Sequence, residues 1–559
     1  MSMVYAFLWL VATPCFYLGT GILAASFWPH EKVEKSAIPL LGVVFWGWVG
    51  LIQIMTGVPR GWLYFAIMMA AVAGGLFRWK TVAKTWRDWG ECVRPSLVIY
   101  LLGVVTLAVS AYPGLWLMGG DWWVHYSMTL AADNGQFGVA QLTRCPFFAV
   151  ACLPLLDAGG GSWNRGLAVY QFFNAAAAAA AWLPIVMPIL KTEPVGRRVR
   201  LAALLALGCS PMFTIVLQNL WPKFLAGGCL WLALTRAGKF ATQGRLAEMR
   251  AAGWWFACAV LAHEASVIYA PMLVLAAWVG SSASGKLARF AGLAWAGLLV
   301  ALLVGWWEVW TVWHFGWGAR VHANPAVEFA TAQPLWEKFG ANLIAIFVSI
   351  LSLDLASTWA RTNLGFMEKN YYTVVALVSW MGATFLGIAL PWLLFLRKTT
   401  IRLTTALMDS SRHQALLAGA VLAIAAQAFL VPLPQRYGAL QSSLVPLVMW
   451  GTGIVVSRLG TADAPGVSRV LRWWIIVGWL PYVAVGTVIG IILAFPQHFG
   501  NRAEQLRLQD GDLIAIYTEK FVPLGMMPMI LFLGFLAAIA IGWNMFRIAG
   551  KLSPNGSTR

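Results

Sequence analysis

Long apolar runs alternate with short polar breaks along the whole chain. Many runs approach the roughly 20 residues that a helix needs to cross a bilayer. They predict fifteen spans, at about 4–27, 38–56, 61–77, 97–113, 166–190, 201–217, 223–235, 251–263, 265–280, 290–313, 371–396, 414–431, 438–457, 473–495 and 524–546. A membrane β-barrel would instead show roughly ten-residue segments of alternating polarity, and the chain lacks them. The expected fold class is an all-α polytopic membrane protein. Two further apolar stretches, Phe147–Leu156 and Ala341–Leu355, read as interfacial or re-entrant helices. A crossing at the second would place Arg397 and Lys398 on the outer side. The low-complexity run Ala175–Ala181 is helical in character and allows close helix packing. No soluble domain and no long repeat is visible, and no cleavable signal is expected, because the first span starts without a basic segment before it.

Composition agrees with this pattern. Of 559 residues, 60% are hydrophobic and 11% charged, where a soluble chain would carry about a quarter charged. The seven Cys stand singly with no CxxC, so neither a metal cluster nor a disulfide framework is indicated.

The net charge of +18 would suit nucleic acid, but its distribution points to a membrane instead. Alternate connections fall into two sets. One set comprises 30–36, 78–94, 191–200, 236–250, 281–289, 397–413, 458–472 and the tail from Arg547. It carries 27 of the 39 Lys and Arg with 8 of the 21 Asp and Glu. The remainder has 12 basic and 13 acidic residues, so the sets carry +19 and −1. The positive-inside rule then puts the first set in the cytosol and the N-terminus outside. The basic face would rest on anionic lipid, and no nucleic-acid partner is expected.

The outer set contains the candidate chemistry. Gly119–Pro146 is the one long polar break in the first third of the chain. Asp121 lies between Gly119-Gly120 and Trp122-Trp123, and His125 follows four residues later, on the same face if the segment is helical. Arg144 closes the loop before Cys145-Pro146. These residues read either as a site or as an interfacial helix anchored by its tryptophans.

Two later spans look short. Lys223–Thr235 provides 13 residues, about 20 Å of helix, against a hydrocarbon core of roughly 30 Å. Residues 253–280 would have to cross twice in about 42 Å. With Arg236 and Arg250 pinning the cytosolic ends, the outer turns holding Asn219, Trp221, Lys223, His263 and Glu264 would be recessed in a hydrated cavity. Pro222 suits a helix start, and the helix end beside Lys223 would favour an anion such as phosphate. Lys223 also reads as a snorkelling residue at a membrane edge. Arg436, in VPLPQRYG, reads as a second phosphate contact or a boundary arginine. His314, Arg320, His322 and Asn324 lack metal-ligand spacing.

Taken in order, GDWWVHY, LTRCPFF, QNLWPKFLAGG and AHEASVIYAP resemble the GT-C superfamily of membrane glycosyltransferases, over about 97–280. The resemblance implies a GT-C-like core at 96–559, with external loops 114–165, 314–370 and 496–523, and an added three-helix element at 1–95. It implies transfer of a sugar from a polyprenyl-phosphate donor to a glycan, lipid or protein acceptor at the outer face. Asp121 would be the base and His125 its support. Lys223, Arg144 and Arg436 would hold the phosphate, and Trp122, Tyr126, Asn219, Trp221, His263 and Glu264 would contact substrate. The loop has no Asp-x-Asp or Asp-Asp pair, and no cofactor or bound metal is required. The rival readings are a flippase for a lipid-linked glycan, a polymerase or ligase using diphosphate-linked oligosaccharides, and a non-catalytic assembly partner.

Overall fold

The computed structural model describes residues 3–27, 33–110, 121–138, 144–158, 163–208, 216–217, 222–279, 285–318, 334–337, 339–340, 343, 392, 395, 411–430, 444–480, 483–484, 487, 498 and 527–553. All regular structure among them is helical. Numbered through these residues, the helices begin with α1 (Met3–Phe27), α2 (Ile38–Thr56), α3 (Arg60–Phe77), α4 (Trp79–Ser110), α5 (Asp121–Asp133), α6 (Phe147–Val150), α7 (Leu153–Ala158), α8 (Trp163–Leu190) and α9 (Pro194–Gly208). They continue as α10 (Lys223–Gln243), α11 (Leu246–Ala262), α12 (Ala270–Trp278), α13 (Lys286–Phe315), α14 (Ser411–Leu430), α15 (Val445–Arg458), α16 (Ala464–Trp473) and α17 (Met527–Lys551).

Six described helices are long and apolar enough to cross a membrane, and a seventh span results if α15 and the helix after it are counted as one. That pair bends by 102° at Leu459-Gly460. Shorter apolar helices, Phe147–Ala158, Glu264–Trp278 and His413–Phe429, accompany them. The chain is thus an all-helical protein with the spans of a membrane-embedded one. The fifteen crossings expected from hydropathy are not all represented, and nearly all of 371–396 lies outside the described residues.

The bundle is assembled around α8. Its alanine run, Ala175–Ala181, is buried throughout and leaves a flat surface for other backbones. Gly103 of α4 lies against Ala175, and Gly228 of α10 lies so close to Ala181 that a Cβ there would come 2.8 Å from its Cα. On another side Tyr17 of α1 meets Phe173 with ring centroids 5.5 Å apart. Small residues matter here because helices in lipid associate by close packing rather than by a hydrophobic drive. The α1–α2 pair uses the same device. A Cβ on Gly42 would overlap the Tyr17 carbonyl, and one on Gly21 would overlap that of Ile38.

Polar contacts sort the connections to two ends of the bundle. At the basic end Lys239 pairs with Glu34, Lys35 lies 3.7 Å from Glu91, and Arg200 donates to the Leu459 carbonyl at 2.8 Å. At the other end Arg60 meets Asp133 and Asp157, and Trp310 donates to the Met55 carbonyl at 3.1 Å. Each described ion pair joins connections of the same predicted set.

Two expectations about span length are corrected. α10 does not stop at Arg236. It runs 21 residues to Gln243, about 31 Å, because Arg236 is buried and donates to Glu248 of α11 at 2.9 Å. Likewise the basic segment 78–94 is the first half of a continuous helix, α4.

Replacing Gly42 with alanine is expected to destabilise the α1–α2 pair by about 2 kcal/mol, since backbone leaves no room for the methyl group. Thermal unfolding of the detergent-purified protein would register this as a lowered Tm, and an unchanged Tm would refute the close approach.

Candidate functional site

The Gly119–Pro146 stretch does form a helix at the expected place. α5 begins at Asp121, so Asp121 and His125 lie one turn apart on one face. The description covers the backbone alone for Asp121 and Trp122. From His125 onward α5 is not a lipid-facing helix. His125, Tyr126, Met128, Thr129 and Ala132 are all buried. Thr129 Oγ1 lies 3.0 Å from the carbonyls of both His125 and Ala149, which ties α5 to α6. Phe148 sets its ring edge-to-face with the His125 ring at 6.4 Å. The Phe147–Leu156 stretch is itself buried, with α6 packed on Gly47 and Gly50 of α2, so it lies within the bundle and not on its surface. Tyr126, expected as a substrate contact, is enclosed by the core, 5.4 Å from the Tyr170 ring.

Arg144 reaches back to this helix. Its Nη1 lies 3.2 Å from His125 Nε2. A guanidinium can only donate, so the contact requires a lone pair on Nε2. His125 is therefore neutral in this arrangement, with its proton on Nδ1. Arg144 thus meets the helix that Asp121 opens, at His125, one turn further on.

A second charged cluster supports α5 from below, and the motif search did not find it. Arg60, the first residue of α3, donates to the side chain of Asp133 at the end of α5 and, at 2.6 Å, to the Asp133 carbonyl. The same Nη1 lies 3.0 Å from Asp157 of α7. Tyr64 also hydrogen-bonds Asp157, which in turn shares a hydrogen bond with Asp133. Burial pushes the Asp157 carboxyl above the usual carboxylate range and Asp133 pushes the same way, while Arg60 and Tyr64 oppose them. The partners come from separate stretches of chain, so only their charge and their membership of the same predicted set of connections could have hinted at the cluster.

Lys223 is 1% exposed and opens α10 directly after Pro222. Its depth follows from register. Asn174 of α8 donates to the Leu217 carbonyl, Ala181 meets Gly228, and Ile185 and Trp231 both meet Gly453. α8 and α10 therefore run parallel. Lys223, five residues before Gly228, stands level with about Ala176, some 20 Å below the start of α8. Lys223 is thus buried within the bundle, but the short span from which a recess was expected is not there, because α10 is 21 residues long. His263 and Glu264 are half-buried and form the turn that ends α11. There the His263 N–H donates to the Ala259 carbonyl at 3.0 Å, and the Ser266 N–H donates to the His263 carbonyl at 2.8 Å. The turn packs against α11, α12 and α14. Asn219, Trp221 and Arg436 lie outside the described residues, as do Arg320, His322 and Asn324. Among the described residues no three His, Cys, Asp or Glu gather as metal ligands would.

No family model matches the chain, and no curated protein or solved structure matches it either.

The Asp157 carboxyl gives a pH test. A group whose folded value is raised favours the fold while protonated and withdraws that contribution as pH rises through the folded value. Asp157→Asn fixes the neutral form. The variant is expected to lose less Tm than wild type between about pH 4 and pH 8, and to be at least as stable at the upper end. Parallel Tm–pH curves for the two proteins would contradict the assignment.

Proposed function

We propose that the chain is a GT-C-type glycosyltransferase of the cell inner membrane, with the α5 end of the bundle facing the periplasm. It moves a sugar from a polyprenyl-phosphate donor to an acceptor hydroxyl. The observation that supports this most is the Arg144–His125 contact on the helix that Asp121 opens. It sets an acid, a neutral imidazole and a cation within one local unit.

In this reading Asp121 takes the proton of the acceptor hydroxyl. The acceptor oxygen forms the new bond to the anomeric carbon as the bond from that carbon to the phosphate oxygen breaks. The electron pair leaves on the phosphate, and one displacement inverts the anomeric configuration. His125, with its proton on Nδ1 and one turn from Asp121, orients that carboxylate. Arg144, Lys223 and Arg436 stabilise the leaving phosphate. Trp122, Asn219, Trp221, His263 and Glu264 contact the substrates.

A second reading, a polymerase or ligase acting on a diphosphate-linked oligosaccharide, draws on the same Arg144–His125 pair. There the arginine and the imidazole carry the reaction and Asp121 does not.

Substitution separates the two. Reconstituted with a polyprenyl-phosphate sugar and an acceptor, Asp121→Asn is expected to lower the transfer rate by about a hundredfold or more, with donor binding retained. Lys223→Met is expected to weaken donor binding first. Full activity in Asp121→Asn together with loss in His125→Ala would favour the second reading and remove Asp121 from the chemistry.

A further inference from the structure

Among the described residues, Gln427 and Ser266 are fully buried and meet no hydrogen-bonding atom of the protein. Gln427 of α14 is 0% exposed, with both Oε1 and Nε2 unpartnered. Ser266, in the 3-10 turn Glu264–Tyr269, is 0% exposed, with Oγ unpartnered. Burying such groups without hydrogen bonds opposes folding, so a sequence without use for them would replace them by apolar residues.

Their placement is specific. Leu416, Ala420, Ala423 and Gln427 make up the buried face of α14, which packs on α12 and on the turn that holds Ser266. Arg458, at the end of α15, meets His413, near the start of α14, at 3.1 Å. Gly419, further along α14, lies against Met272, close to the Tyr269 that meets Leu447, so the two helices run antiparallel. Gln427, about 21 Å beyond His413, comes level with the first turn of α15. At that turn the Tyr269 hydroxyl is hydrogen-bonded to the backbone of Leu447, and Gly227 of α10 lies against Pro446. Lys223 is one turn from Gly227 on the same face of α10. Gln427, Ser266 and Lys223 thus surround the N-terminal end of α15, where the helix dipole is positive.

These groups differ in kind. A buried ammonium beside a helix N-terminus suits an anion. A carboxamide and a hydroxyl are neutral and both donate and accept, which suits uncharged hydroxyl groups. We propose that Gln427 and Ser266 form the neutral pole of a binding site and read the hydroxyls of an uncharged sugar whose phosphate lies at Lys223. The proposal rests on the donor class inferred above and adds the residues that select its sugar. Ordered water could satisfy the same atoms, and binding would then be indifferent to both side chains.

The test uses the full-length protein in detergent and two probes, decaprenyl phosphate and decaprenyl phosphate bearing a neutral hexose. Gln427→Leu is expected to weaken the hexose lipid about tenfold while leaving decaprenyl phosphate within about twofold, because the hydroxyl partners alone are lost. Its Tm without lipid should not fall, since an unpartnered amide has been removed. Ser266→Ala should act in the same direction to a smaller extent. If Gln427→Leu does not fold, Gln427→Met and Ser266→Ala carry the comparison. Wild-type affinity for the hexose lipid in these variants would overturn the proposal. Equal affinity of the wild-type protein for the two lipids would overturn it and leave the phosphate reading standing. Binding of neither lipid by wild type would sink both.

Discussion

The approach of backbones to the alanine face of α8 is the constraint on which the rest of the bundle depends. Lipid gives two apolar helices little reason to associate, so the gain must come from contact at close range. Ala175–Ala181 offers a surface with no long side chains, and glycines answer it on two neighbouring helices, Gly103 on α4 and Gly228 on α10. Once Gly228 is seated on Ala181, the start of α10 is fixed relative to α8. Lys223 is then carried into the interior of the bundle, whatever its own solvation would favour. A charge that lipid alone would exclude is held in the interior by the packing of alanine against glycine five residues away.

Charge placement follows from that packing. A buried guanidinium is tolerable where a carboxylate meets it, and Arg236 has Glu248. Removing either partner would leave the other charge buried and alone, so the pair also holds α10 and α11 in one register. At the opposite end Arg60 plays a related part between Asp133 and Asp157. Here α3, α5 and α7 are joined by one cation. The helix that bears His125 is thereby braced at its far end by a residue from the first part of the chain.

Hydropathy and spacing made some of this legible. α1, α2, α3, α8, α13 and α17 stand where apolar runs of sufficient length predicted them. The four-residue step from Asp121 to His125 places both on one helix, and Arg144 meets that helix at His125. What escaped the sequence did so for physical reasons. Hydropathy treats an arginine as the edge of a span, yet Arg236 lies within α10 because its neutralising partner is on another helix. Residues 78–94 looked like a loop because they are polar, while a polar segment can remain helical when it continues an apolar helix. The 102° bend at Leu459-Gly460 depends on what α16 packs against, chiefly α9 and α17, and no local signal reports that. The cluster around Arg60 was invisible because Asp133 is 73 residues away and only folding brings them together.

The Arg144–His125 contact limits the chemistry this end of the bundle can perform. With a donor on Nε2, the imidazole cannot also be protonated there, so His125 is not an imidazolium while the contact holds. Its remaining proton is on Nδ1 and can steady a carboxylate or an acceptor oxygen. A guanidinium presents five N–H groups in a rigid fork, so Arg144 can keep one on the imidazole and direct others at a phosphate oxygen. A lysine could not serve both partners in fixed geometry. An arginine at this position therefore allows one residue to set the tautomer of His125 and to face an anion.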